Sequence, residues 1–195
     1  MSEEPMEGDD HASTTILVVD DERDLADLYK AWLTDEFDVR VAYDGESALE
    51  QLDDGIDVVL LDRRMPTLSG DEVLDTIRER SIDCRVAMVT AVEPDVDIVE
   101  LGFDDYLQKP VDREQLVDTV NRLVRRSEYD QRLQEYFTAV RKRSLLDERL
   151  APGERDASEE YRTLQAQLDD LEADIDTVSM ELDEADFETL FRQLE

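Results

Sequence analysis

Four short apolar runs in this chain each lead into a residue that can do chemistry, and that coincidence constrains the fold more than any other feature. Ile16-Leu-Val-Val19 runs into Asp20-Asp21, Val58-Val-Leu-Leu61 into Asp62, Val86-Ala-Met-Val89 into Thr90, and Asp105-Tyr-Leu107 leads to Lys109. The runs are β-branched or leucine-rich, and helical patterns separate them. This is the mark of βα units winding a parallel sheet that is buried on both faces. In such sheets ligands gather in the crevice at the carboxyl ends of the strands. Three carboxylates, a hydroxyl and an ammonium are therefore expected along one rim.

Those groups suit phosphoryl transfer to an aspartate. A carboxylate can act as a nucleophile and form an acyl phosphate. Asp62 is the candidate, because it ends the most buried-looking strand and the turn Arg63-Arg64-Met65-Pro66 follows it. Asp20 and Asp21 would raise one another's pKa and repel a phosphoryl donor unless a cation neutralised them. A hard dication such as Mg2+, commonly held by one or two carboxylates plus phosphate oxygens, would do so and would polarise the incoming group. Lys109 supplies a compact ammonium for one phosphate oxygen. The Thr90 hydroxyl can donate to another, and Ala91 leaves the approach open. Alone, Asp20-Asp21 reads as a helix N-cap, worth about 1 kcal/mol; the other matched positions favour the metal.

Taken in order, these segments resemble a two-component response-regulator receiver domain over about residues 14 to 127. The resemblance rests on Val-Val-Asp20-Asp21-Glu22, Leu-Leu-Asp62-Arg-Arg-Met65-Pro66, Gly70, Val89-Thr90-Ala91 and Asp104-Asp105-Tyr106-Leu-Gln-Lys109-Pro110. It implies an α/β fold of flavodoxin-like (βα)5 type, a doubly wound parallel sheet of order 2-1-3-4-5. It also implies a sensor histidine kinase as donor and Mg2+ as cofactor. The implied metal ligands are Asp20, Asp21, Asp62 and the backbone carbonyl of Arg64. Asp62 would be the phosphoacceptor, assisted by Lys109 and Thr90, with Thr90 and Tyr106 as the switch pair that turns inward on phosphorylation. Such a protein is a phosphoacceptor rather than an enzyme acting on a separate substrate. The stretch from Thr90 to Gly102 is short for the family, so a stunted helix is expected from Pro94 to Leu101, and with it an altered face for the family's usual dimer. The Arg64 side chain either steadies an acyl phosphate or points to solvent, and Val92 offers no acid to orient water.

Composition suggests where the chain works. Its 195 residues carry a net charge of −33, and the basic residues include only three lysines, Lys30, Lys109 and Lys142. Self-repulsion of that size opposes compaction. Molar salt shortens the Debye length from about 10 Å at 0.1 M to about 3 Å at 1 M and removes most of it. The chain therefore reads as a protein of a salt-accumulating halophile. Disorder is excluded as an alternative because 41% of residues are hydrophobic and periodically placed. No apolar run approaches the ~18 residues of a membrane span, and no secretory leader pattern opens the chain, so a cytoplasmic location is expected. A single cysteine, Cys84, forms no internal disulfide and reads as a small buried residue opening a strand, in keeping with a reducing compartment. His11 stands without a second histidine, which argues against a transition-metal site.

The rest of the chain is helical in pattern. Residues 1 to 13 read as a disordered acidic tail. After Pro110, Leu116, Val117, Val120, Leu123 and Val124 mark an amphipathic helix with Asp112 placed to cap it. The spacing lapses from Arg125 to Gln131 and resumes at Leu133, Tyr136, Phe137 and Val140. Either a second helix or a bent continuation fits, and Ala151-Pro152-Gly153 ends it. Tyr161, Leu164, Leu168, Leu171, Ile175 and Val178 alternate spacings of three and four, an a/d seam of nearly three heptads. A last stretch carries Phe187, Leu190, Phe191 and Leu194. These stripes read as a helical hairpin over residues 128 to 195, with a coiled-coil homodimer as the alternative. The region from Tyr129 resembles the HalX domain that follows receivers in haloarchaea, through Leu133-Gln-Glu-Tyr-Phe137, Tyr161-x-x-Leu164 and Leu190-Phe191-x-x-Leu194.

A transcriptional output is implied by the resemblance, through an unidentified downstream protein partner. The alternative is direct DNA binding by residues 122 to 149, which hold eight basic residues against five acids. No helix-turn-helix pattern accompanies this ridge, and residues 151 to 195 hold fifteen acids against three bases. The ridge is expected to be the counter-face for the acidic long helix.

Overall fold

The computed structural model describes residues 14–93 and 101–181. The amino-terminal tail, the helix expected from Pro94 and the apolar residues Phe187, Leu190, Phe191 and Leu194 lie outside the described residues. Two compact units divide the chain, the first ending at Val117 and the second starting at Asp118.

The first unit is built on five parallel strands: β1 (Thr15–Val19), β2 (Asp38–Ala42), β3 (Val58–Leu61), β4 (Arg85–Thr90) and β5 (Asp105–Gln108), ordered β2-β1-β3-β4-β5. The apolar runs take the central places because every residue of β1 and β3 is buried. Alternate side chains point to opposite faces of a strand. Leu17, Val19, Val59, Leu61, Val86 and Met88 share one core with Ala48 and Leu52 from the region of α2 (Gly45–Gln51) and Val73, Leu74 and Ile77 of α3 (Gly70–Glu79). The other set, Ile16, Val18, Val58, Leu60, Ala87 and Val89, is equally buried, and so are Ala26, Tyr29 and Leu33 of α1 (Arg23–Leu33).

Strand β2, implied by the resemblance, is marked by no apolar run in the sequence. Its segment, Asp-Val-Arg-Val-Ala, lies at the sheet edge with only Val39 and Ala42 buried. A short, half-polar edge strand leaves no apolar run to detect. Cys84 is buried as expected, but it precedes β4 and does not open it.

Helix α4 (Arg113–Arg149) begins with Asp112 accepting from the Gln115 N–H at 2.9 Å, the cap read from the sequence. It then continues for 37 residues without a break, so the lapse at Arg125–Gln131 is neither a new helix nor an end. Polar residues with good helix propensity carry it through. The expected boundary at 127/128 and the division after Val117 both fall within this helix.

In the second unit α4 is followed by α5 (Pro152–Ala157) and α6 (Glu159–Glu181). Pro152 therefore starts a short helix instead of only ending one, as its fixed φ allows. The a/d seam of α6 is used within the chain. Leu168 and Leu171 are buried with Ala139 of α4, flanked by Tyr136, Val140 and Leu164. The hairpin reading holds for this seam, and a coiled-coil dimer through it is displaced by those contacts. The helices run antiparallel, since the Tyr161 hydroxyl donates to Asp147 at 2.8 Å while Arg132 pairs with Asp174 at 3.8 Å. Among the described residues Arg132 thus joins the basic ridge to α6 by an ion pair. Arg141, Lys142 and Arg149 are exposed.

Candidate functional site

The carboxyl ends of β1, β3, β4 and β5 bring the expected groups together. Asp20 directly follows β1 and Asp62 directly follows β3, and both are buried. One carboxylate oxygen from each of Asp20, Asp21 and Asp62 lies within 4.8 Å of the others. Lys109 joins them from across the sheet, its Nζ 2.8 Å from Asp20 Oδ2 and 2.7 Å from Asp62 Oδ2. Asp20 Oδ1 accepts the Glu22 N–H at 3.0 Å, and Asp62 Oδ1 accepts the Arg64 N–H at 3.1 Å. The helix-cap reading of Asp20-Asp21 fails on this geometry: the N-cap of α1 is Glu22, with no side-chain cap.

Electrostatics at the rim are unbalanced. Three carboxylates face one ammonium, and burial raises the Asp20 carboxyl above its ordinary range even though Lys109 opposes the shift. Burial also acts to lower the Lys109 ammonium, but its hydrogen bonds to Asp20 and Asp62 outweigh this and hold it above the ordinary lysine range. Behind the site Tyr29 is buried, and that burial pushes its phenol up to about 12. The donor set is hard, oxygen-based and rich in negative charge, which fits a small divalent cation. A softer metal would call for nitrogen or sulfur.

A concavity of about 290 Å³ opens over this cluster, lined by Asp21, Glu22, Asp62, Arg64, Thr90, Ala91, Val92 and Lys109. Thr90 ends β4, buried, and its Oγ1 accepts the Val92 N–H at 3.3 Å. The Tyr106 hydroxyl donates to the Val92 carbonyl at 2.7 Å, and its ring tilts against Phe103 with centroids 5.6 Å apart. Val92 thus connects Thr90 to Tyr106 through its backbone. The Arg64 side chain is exposed.

Two residues acquire a role that the sequence alone did not assign. The Cβ of any residue replacing Gly70 would sit 2.2 Å from the Asp62 carbonyl oxygen and 2.9 Å from Arg63 Cα. The start of α3 is therefore laid directly on the backbone of Asp62. Ser69 and Glu72 fix that helix start with a reciprocal capping box, and Arg63 pairs with Asp71 at 3.0 Å. Glu22 lines the concavity and approaches Lys109 Nζ at 4.0 Å. Its only sequence signal was its place after the acidic pair.

Residues 16–121, more than half of the chain, match the response regulator receiver domain. The chain belongs to that family. Its five parallel strands and their order are those of the receiver fold. Residues 125–191 match the HalX domain. A Haloferax volcanii protein named as a candidate transcriptional regulator is 55% identical over 139 residues, which is 71% of this chain and 24% of that protein. The Escherichia coli K12 transcriptional regulatory protein CpxR is 40% identical over 154 residues, 77% of this chain and 66% of its own length. The chain thus spans about a quarter of the first relative and about two thirds of the second. Among solved structures, the Thermotoga maritima response regulator TrrA in complex with Mg2+-BeF is 34% identical, with a TM-score of 0.51 over 56% of this chain and 98% of that one. No helix of the described residues is long and apolar enough to cross a membrane.

Proposed function

We propose that this receiver accepts a phosphoryl group on Asp62 from a phosphohistidine of a sensor kinase and passes the change to its helical carboxy-terminal domain. The observation that carries the reading is the convergence of Asp20, Asp21 and Asp62 with Lys109 at the carboxyl ends of the strands. An Asp62 carboxylate oxygen attacks phosphorus, the P–N bond breaks, and the imidazole leaves with the bonding electrons. A mixed anhydride remains on Asp62. Asp20, Asp21, Asp62 and the Arg64 carbonyl would hold Mg2+, which would supply neutralisation of charge on the phosphoryl oxygens. Lys109 exchanges one of its carboxylate contacts for a phosphoryl oxygen, and the Thr90 hydroxyl donates to another.

A movement of Thr90 toward the phosphoryl group would draw on the Val92 N–H that its Oγ1 accepts. Val92 and Tyr106 share its hydrogen-bond path, so that movement disturbs the β4 loop. A coupling of about 1–3 kcal/mol is enough to carry a signal between two sites. The protein acts as a phosphoacceptor that at most catalyses its own transfer and dephosphorylation. The names of the relatives, together with the HalX match, support control of transcription; a cytoplasmic location and a downstream partner belong to the same proposal. A second reading, DNA binding by residues 122–149, draws on the exposed Arg141, Lys142 and Arg149. It is weakened by five interspersed acids and by the salt sensitivity of phosphate contacts.

The test is phosphorylation by a small-molecule phosphodonor with Mg2+. Label should enter the native protein and be absent from Asp62→Asn. Acid-labile label on Asp62→Asn would remove Asp62 from this role.

A further inference from the structure

Among the described residues helix α4 carries an unpartnered face besides the one that packs on α6. Phe137 is 57% exposed and Leu145 60%. Arg141 lies midway between them and Arg149 follows Leu145 by four residues, so the four side chains make one stripe along three turns of helix. Arg141, Lys142 and Arg149 are exposed and have no hydrogen bond or ion pair among the described residues. A cationic, apolar stripe is out of keeping with a chain of net charge −33.

The sequence beyond α6 has the complementary chemistry. Phe187, Leu190, Phe191 and Leu194 recur at the i, i+3, i+4 and i+7 positions of one helical side. Asp183, Glu184, Asp186, Glu188 and Glu195 surround them, against a single base, Arg192. At a rise of about 1.5 Å per residue, Phe187 to Leu194 would span about 10 Å and Phe137 to Leu145 about 12 Å.

We propose that residues 182–195 of a second copy of this chain cover the Phe137–Arg141–Leu145–Arg149 stripe, joining two chains by reciprocal exchange of these segments. Register within the hairpin favours a second copy over the same one. Arg132 pairs with Asp174, so the end of α6 at Glu181 lies beyond Arg132, away from Leu145. From there to Phe137 is about 18 Å along the helix axis, and to Leu145 about 30 Å. The six steps from Glu181 to Phe187 cover about 20 Å only when fully extended, so the chain's own segment arrives only with that whole linker drawn straight and turned back along α4. A segment arriving from a neighbour meets no such limit. Reciprocal exchange closes the assembly at two copies, with the same contact made twice.

The test is made on the full chain in molar KCl, where overall repulsion is screened. Sedimentation should give a dimer for the native protein. F137D and F191D should each halve the mass while leaving circular dichroism unchanged. Phe137 is exposed, so its substitution leaves the core intact. A thiol-reactive bifunctional cross-linker applied to an equal mixture of F137C and F191C should yield a joined dimer that neither variant forms alone; Cys84 is buried. A native monomer, or a dimer that both aspartate variants retain, overturns the proposal. So does an intramolecular cross-link in the F137C/F191C double variant, which would give the stripe to the chain's own segment. Loss of double-stranded DNA retention in R141E with no change of mass would assign it to nucleic acid instead.

Discussion

Two buried acid–base clusters sit at opposite ends of the same sheet, and they are built to opposite rules. At the carboxyl ends Asp20 and Asp62 share one ammonium, Lys109, under an open concavity. At the amino ends of β4 and β5 one carboxylate, Asp104, receives two guanidiniums, Arg78 at 3.0 Å and Arg85 at 2.9 Å, and also the Val86 N–H at 2.8 Å. Arg78 is itself anchored to the Gly102 and Cys84 carbonyls. The first cluster is short of cations and faces solvent. The second has several donors converging on one acid. Excess charge held beside an opening invites a ligand, whereas a saturated cluster ties backbone segments together, so the same residue types serve chemistry at one end and architecture at the other.

The sharpest way to break this comparison is to remove the acid from the saturated end. Asp104→Ala removes the carboxylate with which Arg85, whose side chain is only 13% exposed, pairs. Unpairing a buried ion costs about 3–5 kcal/mol, with less of it from Arg78, which is 36% exposed. Denaturant unfolding at molar salt should register the loss, while phosphorylation per folded molecule stays at the native level. Loss of phosphorylation in the folded fraction would mean that the two ends are not separable.

The open end should answer to a cation instead. Mg2+ at a hundredfold excess over its Kd should stabilise the native protein by about 2.7 kcal/mol, by mass action alone. The shift should shrink sharply in Asp20→Asn and Asp62→Asn and remain full in Asp104→Ala, as thermal unfolding with and without Mg2+ would record. Without the cation Asp62→Asn should be no less stable than the native chain, because it relieves a crowded group of carboxylates.

Gly70→Ala tests the contact between α3 and the phosphoacceptor backbone. Its Cβ needs room that the Asp62 carbonyl occupies. Overpacking of this kind costs about 1–3 kcal/mol, and here the strain falls on Asp62 itself. Phosphorylation rate should fall by more than the unfolded fraction explains; a rate that tracks folding alone would reduce Gly70 to a packing residue.

Tyr106→Phe should have the smallest effect. It removes one hydrogen bond, to the Val92 carbonyl, worth about 0.5–1.5 kcal/mol. Phosphorylation should persist, while hydrogen exchange in the β4 loop becomes insensitive to it. An unchanged response there would place the signal on another path.

Local pattern in the amino-acid sequence is enough to determine the apolar runs of β1, β3, β4 and β5, the cap at Asp112, the α6 seam and the acids that end the strands. Each of these is written in neighbouring residues, by an unbroken apolar run, a residue at its end, or spacings of three and four. The edge strand β2 and the continuity of α4 escape that pattern, because an edge needs no apolar run and a helix needs no unbroken stripe. Tertiary structure alone decided that Lys109, 47 residues from Asp62 in sequence, bridges it to Asp20, that Gly70 lies on the Asp62 carbonyl, and that Asp104 gathers Arg78 and Arg85. The Lys109 and Asp104 pairings join residues that the chain keeps far apart, and only the closing of the sheet, driven by burial of its two faces, brings them within a hydrogen bond of each other.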